Sequence, residues 1–371
     1  MTARTLQIET FLRQRKCTLP DIGMLQPADP ILNAAGEDIR RRIFMTADQR
    51  GRDMCLRPEF TIPACLGHIK GGMAKKRYGY VGEVFRQRVD EPAEFMQAGI
   101  EDIGAANRIA ADAKSLLDAV ELVRLLGQKR LSVTIGDQAI FNEVLKSLAI
   151  PKAWQERLSR NFGDPQRLAG DLDRLSGATS HEMPNLPAKL AAALAERDRP
   201  QVIAIIEASL RKAGLANQSG RSAGEIAGRL IDKAELAATR LPDNQREILE
   251  AFLRLDLRLD EAGSRLRDFA RKSHLPLGDA LAAFQKRASA IEKLQLENVA
   301  LRYRASFGRR LDYYTGFVFE ISAPGAAAKP LAGGGRYDHL LNVLGARGEV
   351  PAVGFGVYVD RVAARAKGAG A

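Results

Sequence analysis

Strand-forming sequence lies at the two ends of this chain, and a long helix-forming stretch, residues 105–300, separates them. Residues 78–85 and 353–357 read as strands, and residues 313–322 alternate with Tyr, Thr, Phe and Ile, all strand formers. Between the ends, residues 106–126 place apolar side chains three and four apart and stop at Gly127, the pattern of an amphipathic helix. One strand and turn, residues 131–137, interrupts the helical texture, which resumes at 226–241, 246–257 and 281–294. Residues 8–15 form a further helix, and residues 151–220 read as short helices broken by Gly and Pro. Residues 331–337, with Gly333-Gly334-Gly335, read as a glycine turn. Strands at both ends with helices between imply one α+β sheet domain split by a helical segment.

With 371 residues, 46% of them hydrophobic and 27% charged, the chain is long enough for two or three domains and is not a disordered one. It has no apolar run long enough for a membrane span and no apolar leader after Met1, so the expected compartment is the cytoplasm. The net charge of +11 is spread along the whole chain, and the densest clusters, Arg40-Arg41-Arg42 and Lys75-Lys76-Arg77, are only triplets. That distribution gives weak attraction to polyanions, not a dedicated nucleic-acid face. Cys17, Cys55 and Cys65 have no C-x-x-C spacing, and His68, His181, His274 and His339 lie far apart, so no metal site is expected.

Polar side chains inside apparent strands are costly unless used. Glu59 and Thr61 lie two apart and would face one side of an extended chain. Gln97 and Glu101, four apart, share one face of a strand, and Arg86 ends another. The stretch Arg309-Arg310-Leu311-Asp312-Tyr313-Tyr314 packs cations, an acid and phenols together. Such a set could bind a zwitterionic amino acid, with Glu59, Thr61 and Gln97 on the ammonium and Arg309 on the carboxylate. Glu101 and a tyrosine would meet a polar side chain. Taken singly, each is an ordinary sheet or surface residue.

Taken in order, the strings are far more specific. The chain resembles the catalytic core of class II histidyl-tRNA synthetases, and more closely their non-synthetase paralogues, the regulatory subunits of ATP phosphoribosyltransferase. Pro27-Ala28-Asp29-Pro30 resembles motif 1, which in the family builds a dimer interface. Tyr80 to Arg86 and Phe95 to Glu101 resemble the motif 2 strands, and Gly354-Phe355-Gly356 to Asp360-Arg361 resembles motif 3. Arg309 to Tyr314 resembles the histidine-specific signature, and Ala332-Gly333-Gly334-Gly335-Arg336-Tyr337 the glycine-rich active-site loop. The resemblance implies a class II synthetase-like antiparallel sheet of six or seven strands flanked by helices, formed by residues 1–150 and 245–371, with a helical insertion at 151–244. It implies a histidine pocket of Glu59, Thr61, Gln97, Glu101, Arg309, Tyr313, Tyr314 and Tyr337, and a vestigial ATP site at Arg86 and Arg361. It also implies self-association through motif 1, L-histidine as effector, the short-form catalytic subunit as partner, and no cofactor.

The departures from the synthetase pattern favour the regulatory reading. Asp90, Glu91 and Glu94 place acids where triphosphate would need cations. Tyr358 stands where motif 3 has a small glycine, and Arg310 replaces the usual glycine before Leu311. The chain ends ten residues after Arg361, so no anticodon-binding domain is expected, which argues against tRNA binding. The expectation is a non-catalytic subunit that mediates activation and histidine feedback on the first step of histidine biosynthesis. The alternatives are a truncated histidine-activating enzyme and a synthetase-like RNA-binding module.

Overall fold

The computed structural model describes residues 2–89, 91–177, 186–213, 222–309, 311, 313–325 and 329–368. They divide into two compact units, one made of 1–144, 162–164 and 251–371, the other of 145–161 and 165–250.

The first unit is α+β. Its strands in chain order are β1 (Leu25–Pro27), β2 (Met45–Ala47), β3 (Asp53–Leu56), β4 (Lys76–Phe85), β5 (Glu94–Ile103), β6 (Leu131–Asp137), β7 (Asp256–Arg258), β8 (Val299–Arg304), β9 (Phe317–Ser322), β10 (Ala332–Arg336) and β11 (Ala352–Tyr358). Eight of them form one sheet in the order β4-β5-β11-β10-β9-β6-β8-β7, and β1-β3-β2 form a small antiparallel one. The large sheet is mixed, because β6 and β8 run parallel. The six- or seven-stranded, all-antiparallel expectation therefore falls short: β7 and the parallel pairing depend on distant partners and leave no local signature.

The glycine turn expected at 331–337 is instead β10, a fully buried strand between β9 and β11. Its glycines have a steric reason. A Cβ on Gly333 would overlap the Arg309 guanidinium, and one on Gly354 in the neighbouring β11 would overlap the Glu101 carboxylate. The strand expected over 313–322 begins only at Phe317, and Tyr313 and Tyr314 lie in the loop before it. Nor does an extended chain carry Glu59 and Thr61. Strand β3 ends at Leu56, and a helix, Thr61–Lys70, starts at Thr61. Arg57 fixes this corner by donating to the carbonyl of Glu83 at 2.8 Å and lying 4.0 Å over the Phe60 ring. Glu59 then accepts from the N–H groups of Thr61 (2.6 Å) and Ile62 (2.9 Å), donors that a helix start would otherwise leave unpaired.

The helix Arg108–Leu125 packs across β5, β11, β10 and β9 and buries Leu116, Ala119, Val120, Leu122 and Val123. Asn107 caps it by accepting from the Ala110 N–H. Two buried acids on this helix anchor the sheet. Asp112 takes Arg336 at 2.6 Å and Arg287 at 2.7 Å, and Asp118 takes Arg15 at 2.9 Å and Arg77. Buried charges of this kind are tolerated only as paired networks, and removing one member typically costs about 3–5 kcal/mol. The helix Leu259–Lys272, absent from the sequence reading, packs against Gly278–Glu292.

The second unit is helical, with Lys152–Asn161, Pro165–Leu175, Ala188–Ala195, Arg199–Lys212 and Ala223–Ala238. Leu190, Ala193, Leu194, Val202, Ile206 and Ala227 form its buried cluster. Buried Asp171 is satisfied by Arg157 at 2.7 Å and Asn161 at 2.5 Å. Among the described residues, no helix is long and apolar enough to cross a membrane. Cys17, Cys55 and Cys65 are free and buried, and among the described residues no cluster of potential ligands could hold a metal ion.

Candidate functional site

Three central strands make the floor of a cavity in the first unit. Gly333 on β10 and Gly354 and Gly356 on β11 line it without side chains, so long polar side chains from neighbouring segments lie flat over the sheet. Gln97 and Glu101 rise from β5, where their even spacing puts them on one face. Glu59 and Thr61 enter from the helix N-terminus, Arg309, Tyr313 and Tyr314 from the loop before β9, and Tyr337 from the end of β10. All eight residues expected to form one pocket thus line one cavity, together with Arg86.

Glu101 is the hub. It is 1% exposed, and three hydroxyls point at it. Thr61 donates at 2.7 Å, Tyr80 at 3.3 Å, and Tyr337 makes a short bond to the other carboxylate oxygen. Burial pushes its pKa up to about 8; the hydroxyls pull the other way, and neighbouring Glu59 adds repulsion. Burial also raises Glu59, against the pull of the backbone N–H groups it caps. The phenol of Tyr314 is pushed up to about 12 by burial, although Arg309 draws it down.

Two polar atoms at the cavity lack a partner. These are Oε1 of Gln97 and Nε of Arg309, both buried. Arg309 otherwise reaches Glu320, at 3.4 Å, and hydrogen-bonds the Tyr314 hydroxyl. Buried polar atoms without partners are rare and costly. Here one is an acceptor and the other a donor on a cation, in a cavity that also holds two buried carboxylates. A small zwitterion bearing a further hydrogen-bonding group would complement that set.

The two residues of the expected nucleotide site separate. Arg86 lines the cavity and donates to the Pro58 carbonyl at 2.6 Å. Arg361 is not among the cavity residues; it donates to Glu91 and to the Pro330 carbonyl, at 2.8 and 2.9 Å. Of the three acids expected near a phosphate, Glu91 is ion-paired, Glu94 is exposed at the start of β5, and Asp90 lies outside the described residues, as do Arg310 and Asp312.

Tyr80 was not among the expected site residues. It lies opposite Gly99 in β5, donates to the Phe355 carbonyl at 2.9 Å and stacks on Phe60 with centroids 4.4 Å apart. Its signal was a tyrosine facing paired glycines: Gly99 pairs with Gly356, and a Cβ on Gly99 would strike the Tyr80 hydroxyl.

The histidyl-tRNA synthetase family model matches residues 21–197 and 183–362. The chain is 46% identical over 358 residues to the ATP phosphoribosyltransferase regulatory subunit of Brucella anthropi, covering 96% of this chain and 95% of that one. It is 45% identical over 359 residues to the protein of the same name from Chelativorans sp., at 96% and 95% coverage. Among solved structures, an ATP phosphoribosyltransferase regulatory subunit/histidyl-tRNA synthetase from Bacillus halodurans superposes with a TM-score of 0.63 at 20% identity, over 97% of this chain and 77% of that one. The histidyl-tRNA synthetase of Nostoc sp. PCC 7120 gives 0.63 at 14% identity, over 99% and 71%. At those identities the two structures speak to the fold alone.

Proposed function

The chain belongs to the family of ATP phosphoribosyltransferase regulatory subunits, non-catalytic proteins with the histidyl-tRNA synthetase fold, and from that premise we propose that its cavity is the sensor for L-histidine. In this reading the chain binds the short-form catalytic subunit, supports its activity, and relays histidine feedback to the first step of histidine biosynthesis. It works in the cytoplasm and needs no cofactor.

The observation that carries the proposal is the convergence of opposite charges with unmet hydrogen bonds on one cavity. The α-ammonium would sit among Glu59, the Thr61 oxygen and the free Oε1 of Gln97. Thr61 donates its proton to Glu101, and its oxygen, which also meets the Tyr313 hydroxyl, would face the ammonium. The α-carboxylate would face Arg309, and the imidazole would reach Glu101, Tyr314 and Tyr337, with Tyr313 packed behind at 5.8 Å from the Tyr337 ring. Feedback then requires that histidine bind the inhibited arrangement of the complex more tightly than the active one, since an effector with equal affinity for both shifts nothing.

Self-association through the segment around Pro27 and Pro30 belongs to the same proposal. It is supported by the exposed Met24, Leu25 and Met45, which lie on or beside the small sheet that adjoins it.

The test is reconstitution with a short-form catalytic subunit. The native chain should restore turnover and make it sensitive to L-histidine. E59Q should restore turnover equally while raising the histidine concentration for half-inhibition by about tenfold or more, the usual loss when a buried charged partner is removed. Equal inhibition of the two complexes would refute the pocket assignment.

A further inference from the structure

The loop that carries Arg309 rests on a turn far from it in sequence. Phe162, Gly163 and Asp164 stand between the helices Lys152–Asn161 and Pro165–Leu175, within the stretch expected as an insertion, yet they belong to the first unit. Phe162 is 3% exposed and joins a row of rings in that unit. It stacks on Phe141 with centroids 4.5 Å apart and planes 18° apart, and Phe141 in turn lies 6.4 Å from Phe252. Gly163 is left-handed, with φ +84°. A Cβ there would overlap the backbone of Gly308, and a Cβ on Gly308 would overlap the Phe162 ring and carbonyl. One residue earlier, the Phe307 carbonyl lies so close to Gly136 of β6 that a Cβ on that glycine would overlap it. Three glycines thus let three stretches of backbone meet where side chains would hold them apart.

This contact ends one residue short of Arg309, whose side chain has weak ties of its own. Its Nε is unpartnered, Glu320 is 3.4 Å away, and it hydrogen-bonds the Tyr314 hydroxyl. A long side chain so loosely tied keeps one direction only when the backbone that bears it is fixed, because its rotamer entropy works against order. We infer that the Phe162-Gly163 turn is a positioning element for Arg309. By holding the backbone at 307–308, it places the guanidinium over Gly333, where it meets a ligand carboxylate. The turn thereby sets the preference of the cavity for an amino acid over the matching amino alcohol, although neither Phe162 nor Gly163 lines the cavity. That preference rests on the amino-acid reading of the cavity, whereas the anchoring of the loop does not.

The test titrates L-histidine and histidinol, the amino alcohol, calorimetrically into the full-length native chain, G163A, F162A and F162L. G163A and F162A should bind histidine about tenfold or more weakly than the native chain and bind histidinol as it does, because only the carboxylate contact is lost. F162L, which keeps an apolar anchor, should retain most of the native preference. A folded F162A with the native ratio of the two affinities would overturn the inference. So would equal weakening of both ligands, the mark of a merely structural role. Should G163A fail to fold, F162A and F162L decide the matter. Amide hydrogen exchange of the ligand-free chain gives a second readout that needs no ligand. The Ala305, Phe307 and Leu311 amides are hydrogen-bonded. In F162A, peptides covering 305–311 should exchange about tenfold or more faster, while those of β10 should not change. If the native chain binds no histidine, the effector reading falls and exchange alone decides the positioning role, with unchanged rates at 305–311 overturning it.

Discussion

Glu101 shows how one residue links the site to stability. It is buried beside a second carboxylate and served by three hydroxyl donors, and its pKa stands at about 8. An unfolded glutamate titrates near 4.3. The folded form therefore holds its proton more tightly than the unfolded form. The stability this contributes is complete below about pH 4 and is lost as pH rises through about 8. Across that window the loss approaches 1.4 kcal/mol per pH unit at most. Urea unfolding of the native chain between pH 5 and 8.5 should show a decline that E101Q reduces, because glutamine has no proton to lose. A native chain and an E101Q variant with parallel pH profiles would contradict the assignment. The sequence already pointed to this residue, since Gln97 and Glu101 sit at even spacing in a strand and must share a face. Glu59 and Thr61 come together on a different geometry from the extended chain that their spacing suggests. They meet at a helix start, where Glu59 binds two backbone N–H groups, and no extended chain is needed.

At the scale of elements, the glycines of β10 and β11 matter most. Runs of glycine signal turns in a sequence because glycine is most often needed for conformational freedom. Here it is needed for room, and the strand identity of 332–336 depends on β9 and β11, which lie on either side. The flanking β-formers of β9, by contrast, were legible locally, except that Tyr313 and Tyr314 look strand-like and are used as cavity wall. The helix Arg108–Leu125 and strand β6 were legible from periodicity alone. The helix Leu259–Lys272 is not legible from the sequence, although its apolar positions repeat regularly, because half of its residues are charged. The steric reading makes a direct prediction. In G354A the new methyl would meet the Glu101 carboxylate. The variant should lose about 1–3 kcal/mol in denaturant unfolding, the usual cost of overpacking, and should lose histidine binding by displacing Glu101. Unchanged binding by G354A would show that Glu101 does not have to occupy its observed place.

At the scale of the whole molecule, the chain keeps the sheet of a tRNA synthetase, and we propose that its cavity takes a small zwitterion. The net charge of +11 has no concentrated face in the sequence, and Arg361, an obvious anion ligand, is spent on Glu91. The family resemblance rests on five ordered motifs, whereas the ion pairs of Glu91 could not be read from the sequence. The sequence shows acids near position 91, but not that one of them ties Arg88 to Arg361 across most of the chain length. In the proposed reading, the cavity holds L-histidine by both of its charged ends. Calorimetric titration of L-histidine and of histidinol, which lacks the carboxylate, into the native chain and R309M tests it most directly. Histidine should bind the native chain saturably, with histidinol about tenfold or more weaker. In R309M, histidine should fall to the level of histidinol. Equal affinity of the native chain for the two ligands, or a difference that survives in R309M, would contradict it.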